Sequence, residues 1–132
     1  MIEAIDHVEI VTKDMEKSIQ FYVDVLGFSV HNRRTFEGGR SRSGATEIAN
    51  LKLGDSMLEL LEFPEAREVL GEDPQVGVRM FALRVSDMDF EIKRLKGVGV
   101  EISRPPRALG TSKRCEIKDP NGISIELRQW QQ

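Results

Sequence analysis

The chain is poor in the side chains that most often carry redox and metal chemistry: one cysteine and two histidines among 132 residues. A single cysteine, Cys115, excludes an intrachain disulfide and every multi-cysteine metal site. It sits in a strand-like run between Arg114 and Glu116, and its expected role is packing. No apolar run is long enough to cross a bilayer. Nor does the chain open with a basic head, an apolar stretch and a small-residue cleavage site, so the cytoplasm is the expected compartment. Basic residues are not in excess: the net charge of -3 gives no reason to expect nucleic acid as the main partner. One basic run, Arg33, Arg34, Arg40 and Arg42, reads as a solvated strand end and loop, with steering of an anionic substrate as the alternative.

What the chain does have is a repeat. Sliding the stretch from His7 by 73 positions puts His7-Val8-Glu9-Ile10 on Met80-Phe81-Ala82-Leu83 and Asp14-Met15-Glu16 on Asp87-Met88-Asp89. Sliding the region near Glu59 by 67 positions puts Leu58-Glu59-Leu60 on Ile125-Glu126-Leu127. Each half therefore opens with a strand at His7 or Met80 and closes with one carrying Glu59 or Glu126. Four equivalent positions in a twofold repeat suggest one shared site. Three are competent metal ligands; Met80 is not.

Hydrophobic residues at 39% and charged residues at 31% describe an ordinary globular chain of one domain. Halves of about 65 residues are marginal alone, so each needs a partner surface. Alternation predicts a strand over 5–11, with Val8 and Ile10 on one face and Ile5, His7, Glu9 and Val11 on the other. Asp14 caps a helix over 15–26, which Gly27 ends. Strands follow over 28–35, 46–53 and 57–63, with a glycine-rich loop at 36–45 and a tight turn at Gly54-Asp55. A linker over 64–76 starts with a short helix (64–70) and continues as a polar stretch (71–75). The second module repeats the order: a strand over 78–85, a helix capped by Asp87 to about Lys96, a strand from 100, a loop from Pro105-Pro106 through Thr111, and a hairpin of 114–117 and 123–129 around Asp119-Pro120-Asn121-Gly122. The fold class is α+β: two tandem βαβββ modules, 1–63 and 77–132, forming a concave mixed sheet.

Side-chain period places Glu59 with Met57, Leu61 and Phe63, and Glu126 with Ser124 and Arg128. Glu59 is either an edge glutamate or a carboxylate with a cation or hydrogen-bond partner. Glu126 is either a site residue or a strand residue paired loosely with Arg128. Glu9 and Glu62 read as surface residues, and His31, without a repeat partner of chemical interest, is left out of the site.

Asp6-His7-Val8, Asp14-Met15-Glu16-Lys17-Ser18-Ile19-Gln20-Phe21-Tyr22, Val25-Leu26-Gly27-Phe28, Leu58-Glu59-Leu60 and Asp119-Pro120-Asn121-Gly122-Ile123-Ser124-Ile125-Glu126-Leu127 together resemble the vicinal oxygen chelate superfamily. This is the group of glyoxalase I, methylmalonyl-CoA epimerase, fosfomycin and bleomycin resistance proteins and extradiol dioxygenases, and the likeness is strongest to small glyoxalase I-like members. The resemblance implies metal ligands at His7, Glu59 and Glu126, with Met80 where the glyoxalase pattern has histidine. A thioether suits the Ni, Zn, Co, Mn or Mg centres of that group poorly. The implied activity is that of a metal-dependent lyase, isomerase or epimerase, in which Glu126 or Glu59 removes a proton from a small carbonyl compound and the metal stabilises the enediolate. The alternative is a metal-free small-molecule-binding protein of the bleomycin resistance type, with Met80 lining the pocket. The resemblance also implies a homodimer with a small-molecule ligand and no nucleic acid or membrane partner. Trp130 then packs at the subunit interface or covers the last strand. The 105–111 loop, with Arg104 and Arg107 nearby, reads as a cleft lid or as an ordinary surface loop.

Overall fold

The computed structural model describes residues 1–71 and 73–131. The chain forms two compact units, Met1–Glu68 and Val69–Gln132. Unit 1 contains β1 (Val8–Thr12), α1 (Met15–Ile19), β2 (Ser29–Arg34), β3 (Glu47–Leu53) and β4 (Ser56–Glu62). Unit 2 contains β5 (Phe81–Arg84), α2 (Met88–Gly97), β6 (Ile102–Leu109), β7 (Ser112–Lys118) and β8 (Ser124–Trp130). Each unit is a four-stranded mixed sheet, in the orders β1-β4-β3-β2 and β5-β8-β7-β6. In each, the first strand runs parallel to the last and every other pairing is antiparallel. The α+β class and the tandem βαβββ order match the expectation from sequence.

The repeat governs how each helix is attached. Asp14 accepts a hydrogen bond from the amide of Lys17 at 3.1 Å, and Asp87 from that of Phe90 at 3.0 Å, so both helices start on an aspartate cap. A second, less local acceptor serves each first turn. The Glu62 carboxylate accepts from the Met15 amide at 2.7 Å, and the Gln129 carbonyl from the Met88 amide at 2.7 Å. These acceptors sit 67 positions apart and the amides 73 apart, the same two offsets that relate the halves. Glu62 also accepts from the Thr46 hydroxyl at 2.6 Å. It is thus a half-buried residue that pins the last strand of unit 1 to its helix, where a surface position was expected.

The apolar faces of the helices meet the sheets as their spacing requires. Met15, Tyr22 and Phe28 are buried in unit 1, with Tyr22 edge-on to Phe21 and Phe28. In unit 2, Met88, Ile92 and Leu95 of α2 are buried, as are Cys115, Ile117, Ile125 and Leu127 on one face of the sheet. Cys115 Sγ lies 3.5 Å from Met88 Sδ, and burial pushes its thiol up to about 11, which is the behaviour of a packing residue.

Three local expectations are corrected. The helix over 15–26 is α-helical only for Met15–Ile19 and continues as a π-helical stretch, Gln20–Val25, in which the Leu26 amide reaches the Phe21 carbonyl. The segment 64–70 is not helical: a turn at Pro64-Glu65 gives way to irregular chain. Of the polar stretch 71–75, Glu72 lies outside the described residues. Finally, Pro105-Pro106 does not open a loop. β6 runs through both prolines because it is an edge strand, and the register shift between Arg104 and Arg107, which spans them, absorbs the missing amides. With Arg104 and Arg107 fixed on a strand, the 105–111 segment is not a lid.

Candidate functional site

His7 immediately precedes β1 and Met80 immediately precedes β5, so the repeat holds at the first pair of candidate positions. Glu59 and Glu126 lie in the closing strands β4 and β8. Beyond that positional equivalence, the two units differ in nearly every contact.

In unit 1, His7 Nδ1 lies 2.8 Å from Asp6 Oδ2, and His7 Nε2 lies 3.9 Å from Glu59 Oε2. The pairing with Asp6 orients the ring and turns Nε2 toward Glu59, as a carboxylate bonded to the other ring nitrogen does for metal-binding histidines. The same hydrogen bond raises the His7 pKa above its ordinary 6.5; burial opposes the shift, while the charges of Glu59, Asp6 and Glu9 reinforce it. Glu59 also accepts from Asn50 Nδ2 at 2.9 Å, and Glu9 sits directly opposite it in the β1–β4 register. The arrangement is a histidine facing carboxylates with a neutral amide behind them, which suits a cation.

Unit 2 is built differently. Arg128 grips the Glu126 carboxylate with two nearly parallel bonds, Nε to Oε2 at 2.9 Å and Nη2 to Oε1 at 3.1 Å. Arg114 Nε lies 2.8 Å from Glu126 Oε1, yet its N–H is not aimed to donate, so that pair is an ion contact and not a hydrogen bond. Arg114 Nη2 donates to Glu116 Oε2 at 2.9 Å, and Arg104 Nε approaches the same oxygen at 3.3 Å. Glu116 and Glu126 are both buried and stand opposite one another in the β7–β8 register. Two adjacent buried carboxylates would repel at great cost without these guanidiniums.

The sequence-derived ligand set thus divides. His7 and Glu59 come together within unit 1. Within unit 2, Met80 offers only a weak thioether, and both oxygens of Glu126 already face arginine. That half of the donor set does not fit a hard or borderline divalent cation. Within either unit, no group of three or more His, Cys, Asp or Glu side chains among the described residues is placed to hold a metal. The residues that sequence reasoning missed are Arg114 and Glu116. Their signal was period two: Arg114 and Glu116 alternate on β7 as Arg128 and Glu126 do on β8, so in an antiparallel hairpin the four must meet on one face.

Residues 4–127 match the family model of the Glyoxalase/Bleomycin resistance protein/Dioxygenase superfamily. The glutathione transferase FosA of Serratia marcescens is 29% identical over 130 residues, covering 96% of this chain and 81% of that protein. Among solved structures, a glyoxalase family protein from Enterococcus faecalis superimposes with a TM-score of 0.83 at 26% identity, covering 96% of this chain and 97% of the other. An antibiotic binding protein from Streptomyces sp. CB03234 superimposes at 0.74 with 25% identity, over 98% and 97% of the two chains.

Proposed function

Because the chain belongs to the Glyoxalase/Bleomycin resistance protein/Dioxygenase superfamily, we propose that it is a small-molecule-binding member that works without a metal. One observation carries this: the Glu126 carboxylate, a ligand position in the glyoxalase pattern, is held by Arg128 and Arg114. To ligate a cation, Glu126 would have to leave Arg128 without its carboxylate and Arg114 with Glu116 alone, a rearrangement costing about 2–3 kcal/mol by analogy with broken buried ion pairs. Met80 supports the same reading, since a flexible thioether fills an apolar pocket well and coordinates these metals poorly. The similarity to an antibiotic binding protein agrees with it.

A second reading, a metal-dependent lyase, isomerase or epimerase acting on a small carbonyl compound, is favoured by one observation. His7 is oriented by Asp6 with Nε2 facing Glu59, the disposition of half a metal site. The similarity to a glutathione transferase agrees with an enzymatic role. Elemental analysis of protein purified without chelator or affinity tag separates the two. The binding reading expects far less than one ion per chain. About one ion per chain, lost in Glu59→Ala and in Glu126→Ala, overturns it in favour of the metal-dependent reading.

A further inference from the structure

The strongest departure from the repeat is a row of arginines across the unit 2 sheet. Register pairs Arg84 with Arg128, Arg128 with Arg114, and Arg114 with Arg107, so one cross-strand row carries a guanidinium on every strand. The equivalent row of unit 1 pairs Val11 with Leu61, Leu61 with Ile48, and Ile48 with Arg34. Three apolar positions in one unit are therefore arginines in the other.

Like charges placed opposite one another in a sheet destabilise it, so such a row needs negative partners. The neighbouring row supplies Glu126 and Glu116, which engage Arg128, Arg114 and Arg104. Arg84 and Arg107, at the two ends, are exposed and have no ion-pair partner among the described residues. On the sheet face away from Cys115, Ile117, Ile125 and Leu127, five arginines meet two glutamates. The excess is three positive charges before Lys118 is counted. Planar, fork-shaped donors in a fixed array suit oxyanions better than water alone does. Strand spacing puts the backbones of Arg84 and Arg107 about 14 Å apart, a span matched to a small molecule with more than one negative charge.

We propose that the Arg84–Arg128–Arg114–Arg107 row binds a small organic dianion, through a phosphate-type group or a pair of carboxylates. A nucleic acid backbone fits less well. Residues 1–68 contain eight Lys and Arg against thirteen Asp and Glu, and 69–132 eleven against nine, so a long polyanion would meet net repulsion along the chain. The inference rests on the binding reading for the size of its occupant, but metal analysis and anion titration fail independently of each other.

Trp130 gives the test an internal reporter, because it is the only tryptophan and its ring lies 5.3 Å from the Arg128 guanidinium carbon. The full chain is titrated with inorganic phosphate, succinate and acetate at matched ionic strength, by calorimetry with Trp130 emission followed alongside. Saturable binding of phosphate, of succinate or of both, and at least about tenfold weaker binding of acetate, supports the proposal and names the group recognised. Arg84→Ser/Arg107→Ser touches no ion pair, so it keeps the fold while weakening the dianion about tenfold or more. Three results overturn the proposal: no binding of either dianion up to about 20 mM, unchanged affinity in the double variant, or binding of a single-stranded oligonucleotide that phosphate does not displace.

Discussion

Val11, Leu61 and Ile48 of unit 1 hold the places that Arg84, Arg128 and Arg114 hold in unit 2. The backbones, caps and strand orders repeat, so this exchange changes the chemistry of a sheet face without changing the sheet. In unit 1, Ile48 and Leu61 cluster with Ala45 and are covered by Phe36 and Phe63. In unit 2, the counterpart of Phe63 is the exposed Trp130, stacked under Arg128. The lesson concerns Glu59 and Glu126. Register makes them equivalent, but Glu59 has an amide and a histidine for neighbours and Glu126 has two guanidiniums, so equivalence of position does not carry equivalence of role.

Substitutions that exchange the two environments should be the most damaging. Leu61→Arg places a charge among Ile48, Ala45 and the two phenylalanines, where the one carboxylate on that face of β4, Glu59, is already bonded to Asn50. It should cost at least about 3 kcal/mol in urea unfolding. Next comes the comparison of the two glutamates. Glu126→Ala strands Arg128 and leaves Arg114 to Glu116 alone, and with those side chains 24% and 18% exposed the expected loss is about 2–3 kcal/mol. Glu59→Ala removes one amide hydrogen bond and a 3.9 Å histidine contact, for about 1 kcal/mol or less. Equal losses would mean that the arginines do not distinguish the units. Smaller still are the helix anchors: Glu62→Ala and Gln129→Ala should each cost about 1 kcal/mol, with Glu62 the larger because Thr46 loses its acceptor as well.

The smallest effect is on pH dependence near neutrality, and it arises in unit 1. His7 is held above 6.5 in the folded chain by its hydrogen bond to Asp6. The protonated form is therefore bound more tightly by the fold than by the unfolded chain. Its contribution is complete below pH 6.5 and disappears as pH rises through the folded value. The imidazole resonances should titrate with a midpoint above 6.5, and Asp6→Asn should bring that midpoint down. An unchanged midpoint in Asp6→Asn would remove the orienting role given to Asp6.

Much of this was legible in the residues. The repeat offsets, Asp14 and Asp87 before helices, and Asp119 through Gly122 at a hairpin fixed the α+β order, because caps and turns are local chemistry. In that last turn Asp119 accepts from the amides of Asn121 and Ile123, as its position implied. The local reading failed where a tertiary contact decides. Pro105 and Pro106 look like a break until β6 is known to be an edge strand. Glu62 looks solvated until Met15 and Thr46 converge on it. Glu126 looked loosely paired because its partner Arg114 lies on another strand, and only the β7–β8 register brings it near.

Whether the Glu126 carboxylate belongs to arginine is tested most directly by a double-mutant cycle between Glu126→Gln and Arg128→Met, read by urea unfolding. The expected coupling is at least about 1 kcal/mol. Additivity within about 0.3 kcal/mol would contradict the account, since Glu126 would then owe nothing to Arg128 and be free to serve as a metal ligand.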